Sequence, residues 1–203
     1  MKRRSRSSRS RRGFTLIELV IGLTLFTALG YVVMLTLGAG RSSNAVVERV
    51  VTEDQMLREA SAALLDDLRS TNAAHVSIDV QADGNHAVRL QIGIDTAGAT
   101  TWGVHERELG PTSAEQDRAG WFVRYAVVVG GNGRELVREI YDDAGVLQRS
   151  RVLARGLRNG SGASRGFGLV QSGSVWEATL STVGGGTGEP GMVVVFHARS
   201  RNE

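Results

Sequence analysis

The chain has 203 residues, with 24 Lys and Arg against 21 Asp and Glu, and it contains no cysteine. The lack of cysteine excludes disulfides, thiolate catalysis, cysteine-ligated zinc and a lipoprotein anchor. Seven basic residues and no acid precede Phe14: Lys2, Arg3, Arg4, Arg6, Arg9, Arg11 and Arg12. The remainder, residues 14–203, has 17 basic and 21 acidic residues, so the positive charge marks a terminus, and we expect no nucleic-acid binding.

A long apolar segment follows this basic terminus. Residues 14–40 contain a single acid, Glu18, and no Lys, Arg, Asp or Pro. As a helix the segment would be about 40 Å long, against a hydrocarbon core of about 30 Å, and it exceeds the roughly 7–15 apolar residues of a secretory signal. We therefore predict a transmembrane helix over 14–40. Its basic flank is expected to stay in the cytoplasm, with the body of the chain on the other side.

Glu18 is the unusual residue of this segment, because an acid in hydrocarbon costs about 2–3 kcal/mol. One interpretation is that Glu18 lies close enough to the headgroups to remain hydrated. The other is that it pairs with a positive charge supplied within the membrane.

The sequence around Glu18, Arg12-Gly13-Phe14-Thr15-Leu16-Ile17-Glu18-Leu19, resembles the processing and methylation signature of type IV prepilins and pseudopilins. The resemblance covers about the first forty residues. It implies that prepilin peptidase cleaves between Gly13 and Phe14 and methylates the new amino terminus of Phe14. It also implies that Glu18, at the fifth mature position, aligns an incoming subunit by pairing with its own or a neighbour's amine, one helical turn away.

A second type of export signal shares some of these residues. Ser10-Arg11-Arg12-Gly13-Phe14 also resembles the start of a twin-arginine signal. The length of the apolar run and the acid within it argue against that interpretation. A small-residue cleavage site is also missing, since Gly38-Ala39-Gly40 is only a loose candidate.

The segment 41–72 has the pattern of an amphipathic helix. Apolar residues recur at steps of three, four or seven and form one stripe: Val46, Val50, Leu57, Ala60, Leu64 and Leu68. Ser43 or Asn44 could cap a helix that restarts here. Otherwise one helix continues through Arg41 and spans about 14–71, with its second half lying on a globular head.

The head, residues 73–203, has the alternation and turns of β-structure. We predict strands at 76–80, within 88–94, and at 121–129, 135–141, 146–157, 167–171, 174–183 and 192–199, and a polar loop at 105–119. Gly130-Gly131-Asn132-Gly133 is a strong hairpin signal, and Asp142–Gly145 predicts a second turn. The fold expected is α+β, a long helix packed on a mostly antiparallel sheet.

Within the pilin-like class, the second half resembles the larger minor pseudopilins of type II secretion, particularly the J-type subunit. The likeness lies in successive hairpins: WFVRYAVVVGGNGRELVREIYD, VLQRSRVLARGLRNG, VWEATLSTVG and GMVVVFHARSR. Many major pilins have Pro at the twenty-second mature position, where this chain has Leu35. The resemblance implies a single-pass inner-membrane protein with a periplasmic head. Its expected partners are prepilin peptidase, other pseudopilins or pilins, and an inner-membrane assembly platform.

Other chemistry has weaker support. His75, His86, His105 and His197 are scattered, and His105-Glu106-Arg107-Glu108-Leu109 lacks the second His of a zincin. Asp66-Asp67 and Asp142-Asp143 have no ordered calcium-ligand series, and helix-surface and turn positions are the simpler interpretations. Residues 160–166 indicate a flexible connection more than a phosphate loop. Core packing is the default for Trp102, Trp121 and Trp176.

The sequence thus favours a structural subunit with no cofactor, no metal and no catalytic residues. A minor pilin of a type IV pilus or competence system is an alternative within the same class. A membrane-tethered periplasmic enzyme or binding domain, whose N-terminus only imitates a prepilin, is the alternative of another class.

Overall fold

A computed structural model describes residues 15–96, 99–107, 115–131, 133–160, 165–184 and 191–199. The sites predicted at Gly13 and Phe14, and Asn132 of the predicted hairpin, lie outside these residues. The chain divides into two compact units, residues 1–49 and 50–203. All eleven described strands and the last twenty residues of the long helix belong to the second unit.

The N-terminal helix, α1, is Leu16–Arg69 and has 54 residues. It runs without interruption through Leu35 and Arg41, so the continuous-helix alternative is correct and no restart at Ser43 or Asn44 occurs. Leu and Ala, both strong helix formers, account for eleven and six of its residues, and no proline interrupts it.

The described residues of the head form three antiparallel sheets. The largest has five strands in the order β1-β2-β6-β7-β8. They are β1 (Val76–Val80), β2 (His86–Leu90), β6 (Phe122–Gly130), β7 (Gly133–Tyr141) and β8 (Leu147–Arg155).

The two other sheets among the described residues have three strands each. One has the order β3-β4-β5, with β3 (Ile92–Thr96), β4 (Ala99–Arg107) and β5 (Glu115–Ala119). The other has the order β11-β10-β9, with β9 (Phe167–Ser172), β10 (Val175–Ser181) and β11 (Val193–Arg199). The predicted α+β class with antiparallel sheets is therefore confirmed.

One continuous core joins the helix to all three sheets. Leu57, Ala60, Leu64 and Leu68 of α1 are fully buried in it. They meet Val88, Leu90, Val123 and Leu136 of the large sheet, Ile94 and Val104 of the second, and Phe167, Trp176 and Leu180 of the third. Four members of the predicted stripe are thus confirmed as core. Val46 and Val50, the other two, are 52% and 48% exposed.

The tight turns follow the predicted chemistry. Gly130 pairs with Gly133 in the β6–β7 hairpin. In the next turn Asp142 Oδ1 accepts a hydrogen bond from the backbone N–H of Val146, at 2.7 Å. Gly145 takes φ +79° there, a conformation that side chains with a Cβ rarely adopt.

The alternation predicted within 88–94 is divided at Gln91 between two sheets. The backbone of Gln91 leaves the ladder to meet the segment after α1: its N–H donates to His75 O at 3.1 Å, and its carbonyl accepts from Thr71 Oγ1 at 2.6 Å. A tertiary contact, which the local pattern does not encode, therefore ends β2 and starts β3.

The polar loop predicted at 105–119 is wrong where the structure describes it, because β4 continues to Arg107 and β5 begins at Glu115. Polar side chains of these strands bond across the ladder: His105 Nδ1 lies 2.6 Å from Asp117 Oδ1, in direct register. Gly103 allows their close approach, because a Cβ there would lie 2.1 Å from the carbonyl oxygen of Arg118.

Asp67 is a further correction, because it is buried and not on the helix surface. Its Oδ2 accepts hydrogen bonds from Tyr125 Oη at 2.6 Å and from Arg138 Nε at 2.9 Å. Burial raises the pKa of Tyr125 well above its ordinary value, and the adjacent Asp67 carboxylate adds to the effect. Burial opposes the charge of Arg138, but the same carboxylate outweighs it and raises the pKa of Arg138. The cluster fastens the end of α1 to the sheet as an ion pair.

Candidate membrane-anchoring and assembly segment

The predicted assembly residue, Glu18, lies in the first turn of α1. Its carboxylate oxygen Oε2 accepts hydrogen bonds from the backbone N–H of Thr15 at 3.0 Å and from Thr15 Oγ1 at 2.9 Å. Thr15 Oγ1 also lies 3.3 Å from the backbone N of Glu18, which donates to it. Thr15 and Glu18 therefore form a capping box, which satisfies free N–H groups at the start of a helix.

This arrangement has a sequence signal, Thr followed three residues later by Glu ahead of an apolar run. Neither interpretation of Glu18, hydration near the headgroups or pairing with a positive charge in the membrane, includes a role for Thr15. The structure instead gives the carboxylate a partner within its own chain. A negative charge in the first helical turn is also favoured by the helix dipole.

The helix beyond Glu18 is long and apolar enough to cross a membrane over the 23 residues Leu16–Gly38, and none of its apolar window is buried within the chain. Large apolar side chains are exposed all round it, among them Leu19 at 67%, Phe26 at 74% and Met34 at 77%. A helix that is apolar on every face requires an apolar environment, either lipid or other helices.

Three threonines interrupt this apolar surface without leaving a hydroxyl unpaired. Thr24 Oγ1 donates to the carbonyl of Ile21 at 2.9 Å, and Thr27 and Thr36 donate in the same way to carbonyls three and four residues earlier. Because an unsatisfied polar group in hydrocarbon costs several kcal/mol, these internal bonds make the segment compatible with a bilayer.

The head offers no obvious catalytic constellation in the part of the chain that is described. Among those residues, no three of His, Cys, Asp or Glu are grouped so that they could hold a metal ion. The four histidines lie apart: His75 stacks on Trp102 at 3.9 Å, His105 and His197 face Asp117 and Glu177, and His86 is buried against Leu169.

Trp121 and Trp176 pack in the core, and Asp142 bonds within its turn. Trp176 is 2% exposed in the core, and Trp121 is half-buried against it. Both carboxylate oxygens of Asp142 accept hydrogen bonds, one from Val146 and the other from Gln148, as expected of a turn residue.

A family model built from known proteins matches the start of this same segment. Residues 8–30 match the prokaryotic N-terminal methylation motif, the type IV pilin-type prepilin signal. No curated protein and no solved structure gives a significant match. The matched residues include Gly13, Phe14, Thr15 and Glu18 and extend to Gly30 of the apolar helix. The motif and the apolar helix together indicate a membrane-anchored protein of the type IV pilin-like or pseudopilin kind.

Proposed function

We propose that this chain is a minor structural subunit of a pseudopilin filament, of the type used in type II secretion. Prepilin peptidase would cleave it between Gly13 and Phe14 and methylate Phe14, and it would assemble through its N-terminal helix. The observation that carries the proposal is the position of the methylation motif directly on an apolar helix whose apolar window is unburied within the chain.

The geometry supports assembly through this helix for an energetic reason. The exposed apolar surface of Leu16–Gly38 is stable in lipid, and it would be equally stable against other apolar helices. Transfer from bilayer to filament therefore costs little hydrophobic free energy. The direction and register of packing must come from polar groups, and Glu18 is the only carboxylate within the span.

Glu18 supports the proposal through its position. Cleavage after Gly13 would create a cationic amine four residues before Glu18, within one helical turn. The carboxylate bonds Thr15 through Oε2 at the exposed end of the helix. It is therefore near the new terminus, and it can accept a further bond from an amine. We propose that pairing of Glu18 with an amine on a neighbouring subunit aligns the two helices.

The subtype is proposed from the head. Its length, its succession of hairpins and the absence of proline at position 35 favour a minor pseudopilin over a major pilin. The expected location is the inner membrane before assembly, with the N-terminus in the cytoplasm and the head in the periplasm. The expected partners are other pseudopilins and an inner-membrane assembly platform.

The decisive experiment is N-terminal sequencing and intact-mass measurement of the chain from cells with and without prepilin peptidase. We expect a chain that starts at Phe14 and carries one added methyl group in the first case, and an unprocessed chain in the second. Gly13→Val should remain unprocessed in both, and Gly22→Val, within the helix, should be processed normally. A chain left intact by the peptidase, or cut near Gly40, would contradict the proposal.

A further inference from the structure

A cavity of about 300 Å³ lies on the outer face of the five-stranded sheet. Its lining includes Ala87 and Arg89 of β2 and Phe122 of β6. Val88 and Val123, which alternate with these residues along the two strands, point the other way into the core. Since ligand cavities in proteins are about 300–1,000 Å³, a site of this size suits a small molecule.

The charged groups of this cavity are not all satisfied within the head. Arg124 Nη1 donates to Glu139 Oε2 at 2.9 Å, and Tyr141 Oη donates to the same oxygen at 3.0 Å, so the charge of Arg124 is neutralised. Asp79 and Arg89 also line the cavity, and both are exposed. Among the described residues, neither of these two has a partner in a hydrogen bond or an ion pair. The cavity therefore has one available charge of each sign.

The fold explains why Asp79 and Arg89 do not pair with each other. Asp79 lies opposite Ala87 in the β1–β2 ladder, which makes Asp79 and Arg89 diagonal neighbours, about 7–8 Å apart. The guanidinium carbon of Arg89 lies 3.6 Å from the centroid of the Phe122 ring, a cation–π contact. Phe122 belongs to β6, and β6 and β1 flank β2 on opposite sides. The ring thus holds the guanidinium away from the carboxylate.

The aromatic support of Arg89 is itself fixed. Tyr141 of β7 stacks on the Phe122 ring with a centroid distance of 5.1 Å and an angle of 7° between the rings, a separation typical of aromatic pairs. Phe122 is only 8% exposed, although it is on the outer face of the sheet. The cation is therefore preorganised at one end of the cavity.

These groups together define the chemistry of a fitting ligand. The N–H groups of Arg89 suit a carboxylate, and the carboxylate of Asp79 suits an ammonium group. A simple anion would meet Asp79 as a like charge, and a simple cation would meet Arg89 in the same way. The small side chain of Ala87, opposite Asp79 and two residues before Arg89, leaves room between the two charges. The cavity is thus complementary to a small zwitterion.

We propose that this cavity binds a free α-amino acid with an apolar side chain. Its carboxylate would pair with Arg89, its ammonium group with Asp79, and its side chain would lie against Ala87 and Tyr141. The site lies in the head, and binding requires neither processing at Gly13 nor assembly. The proposal therefore stands or fails independently of the proposed function.

The first test is a calorimetric titration of the full chain in non-ionic detergent with three probes. They are L-leucine, N-acetyl-leucine, which lacks the ammonium group, and leucinamide, which lacks the carboxylate. We expect leucine to bind and each analogue to bind at least tenfold more weakly, because each leaves one charge of the cavity without a partner. Absence of leucine binding, or an analogue that binds as well as leucine, would overturn the proposal.

Two substitutions assign the charges to the residues. Asp79→Asn should weaken leucine binding about tenfold and change the affinity for N-acetyl-leucine less than twofold. Arg89→Gln should weaken leucine binding about tenfold and change the affinity for leucinamide less than twofold. Asp79→Asn breaks no hydrogen bond or ion pair among the described residues, so it should keep the native unfolding curve, and it keeps the test decisive if Arg89→Gln disturbs the packing of Phe122.

Matched controls lie elsewhere on the head. Asp66→Asn on α1 and Arg199→Gln on β11 remove the same charges from exposed positions, and each should alter leucine binding less than twofold. Equal losses in the controls would show that net charge alone governs binding and would refute the site. Unchanged leucine binding by Asp79→Asn would refute it as well.

Discussion

At the scale of single residues, the end of α1 depends on the carboxylate of Asp67, a residue type that is expected on the helix surface. Asp66 and Asp67 are adjacent acids on an amphipathic helix, and only Asp67, three residues after Leu64, lies near the apolar stripe. The structure exposes Asp66 and buries Asp67 between Tyr125 and Arg138. The partners lie 58 and 71 residues away, so no local rule could identify them.

Asp67→Ala is expected to lower the free energy of unfolding by about 3 kcal/mol, because it leaves the half-buried guanidinium of Arg138 and the hydroxyl of Tyr125 without their acceptor. Urea unfolding of the full chain in detergent, followed by tryptophan fluorescence, would measure it. Asp66→Ala, one position earlier and exposed, should change the free energy by less than about 0.5 kcal/mol. Similar losses in the two variants would show that the cluster does not stabilise the head.

At the scale of elements, the sequence is informative where a strand or helix has a local signature. The helix, the β6–β7 hairpin, the Asp142 turn and strands β8 to β11 all lie close to their predicted positions, since each has regular periodicity or turn residues. The failures have physical causes. Gln91 divides a continuous alternation because it bonds to the segment after α1, and β5 has a polar, charged sequence (EQDRA) whose stability comes from pairing with β4.

The apolar stripe of α1 provides an element-scale prediction, because its members have equal periodicity and different surroundings. Leu64→Ala should lower the free energy of unfolding by about 3 kcal/mol, since Leu64 is fully buried. Val50→Ala, at 48% exposure, should change it by less than about 0.5 kcal/mol. The same urea titration measures both. A large loss from Val50→Ala would mean that Val50 is buried in the monomer, contrary to the structure.

At the scale of the whole molecule, the chain combines a segment that only an apolar environment can accommodate with a head that has its own core. The candidate site could be located from sequence because its signal is local: a basic leader, a Gly-Phe step and an acid five positions on. The position of β8 at the end of its sheet could not be predicted from the sequence. The order in which strands pair sets that position, and hairpin signals do not determine the whole order.

Glu18→Val tests the proposed use of the N-terminal segment by the whole molecule. The variant should insert in the membrane as well as the native chain or better, because it removes a charge from the apolar span, and it should be incorporated poorly into filaments. Alkaline extraction of membranes measures insertion, and the subunit content of sheared filaments measures incorporation. Thr24→Val, which removes a hydroxyl already bonded within the helix, should leave both unchanged. Normal incorporation of Glu18→Val would argue against the pairing role.

The capping box at Thr15 and Glu18 has a consequence for how selective the proposed assembly would be. Both hydrogen bonds from Thr15 reach one oxygen of the carboxylate, Oε2, and a carboxylate can accept about four bonds, so a neighbour's amine can bind Glu18 without displacing Thr15. Glu18 would thus discriminate between neighbours, since a misplaced subunit leaves the carboxylate with Thr15 alone. Adhesion between subunits would then come from the apolar helix, which is indifferent to register, while the choice of register would depend on whether an amine reaches Glu18. Such an interface can correct its own errors, because a wrongly placed subunit is released without breaking any strong polar contact.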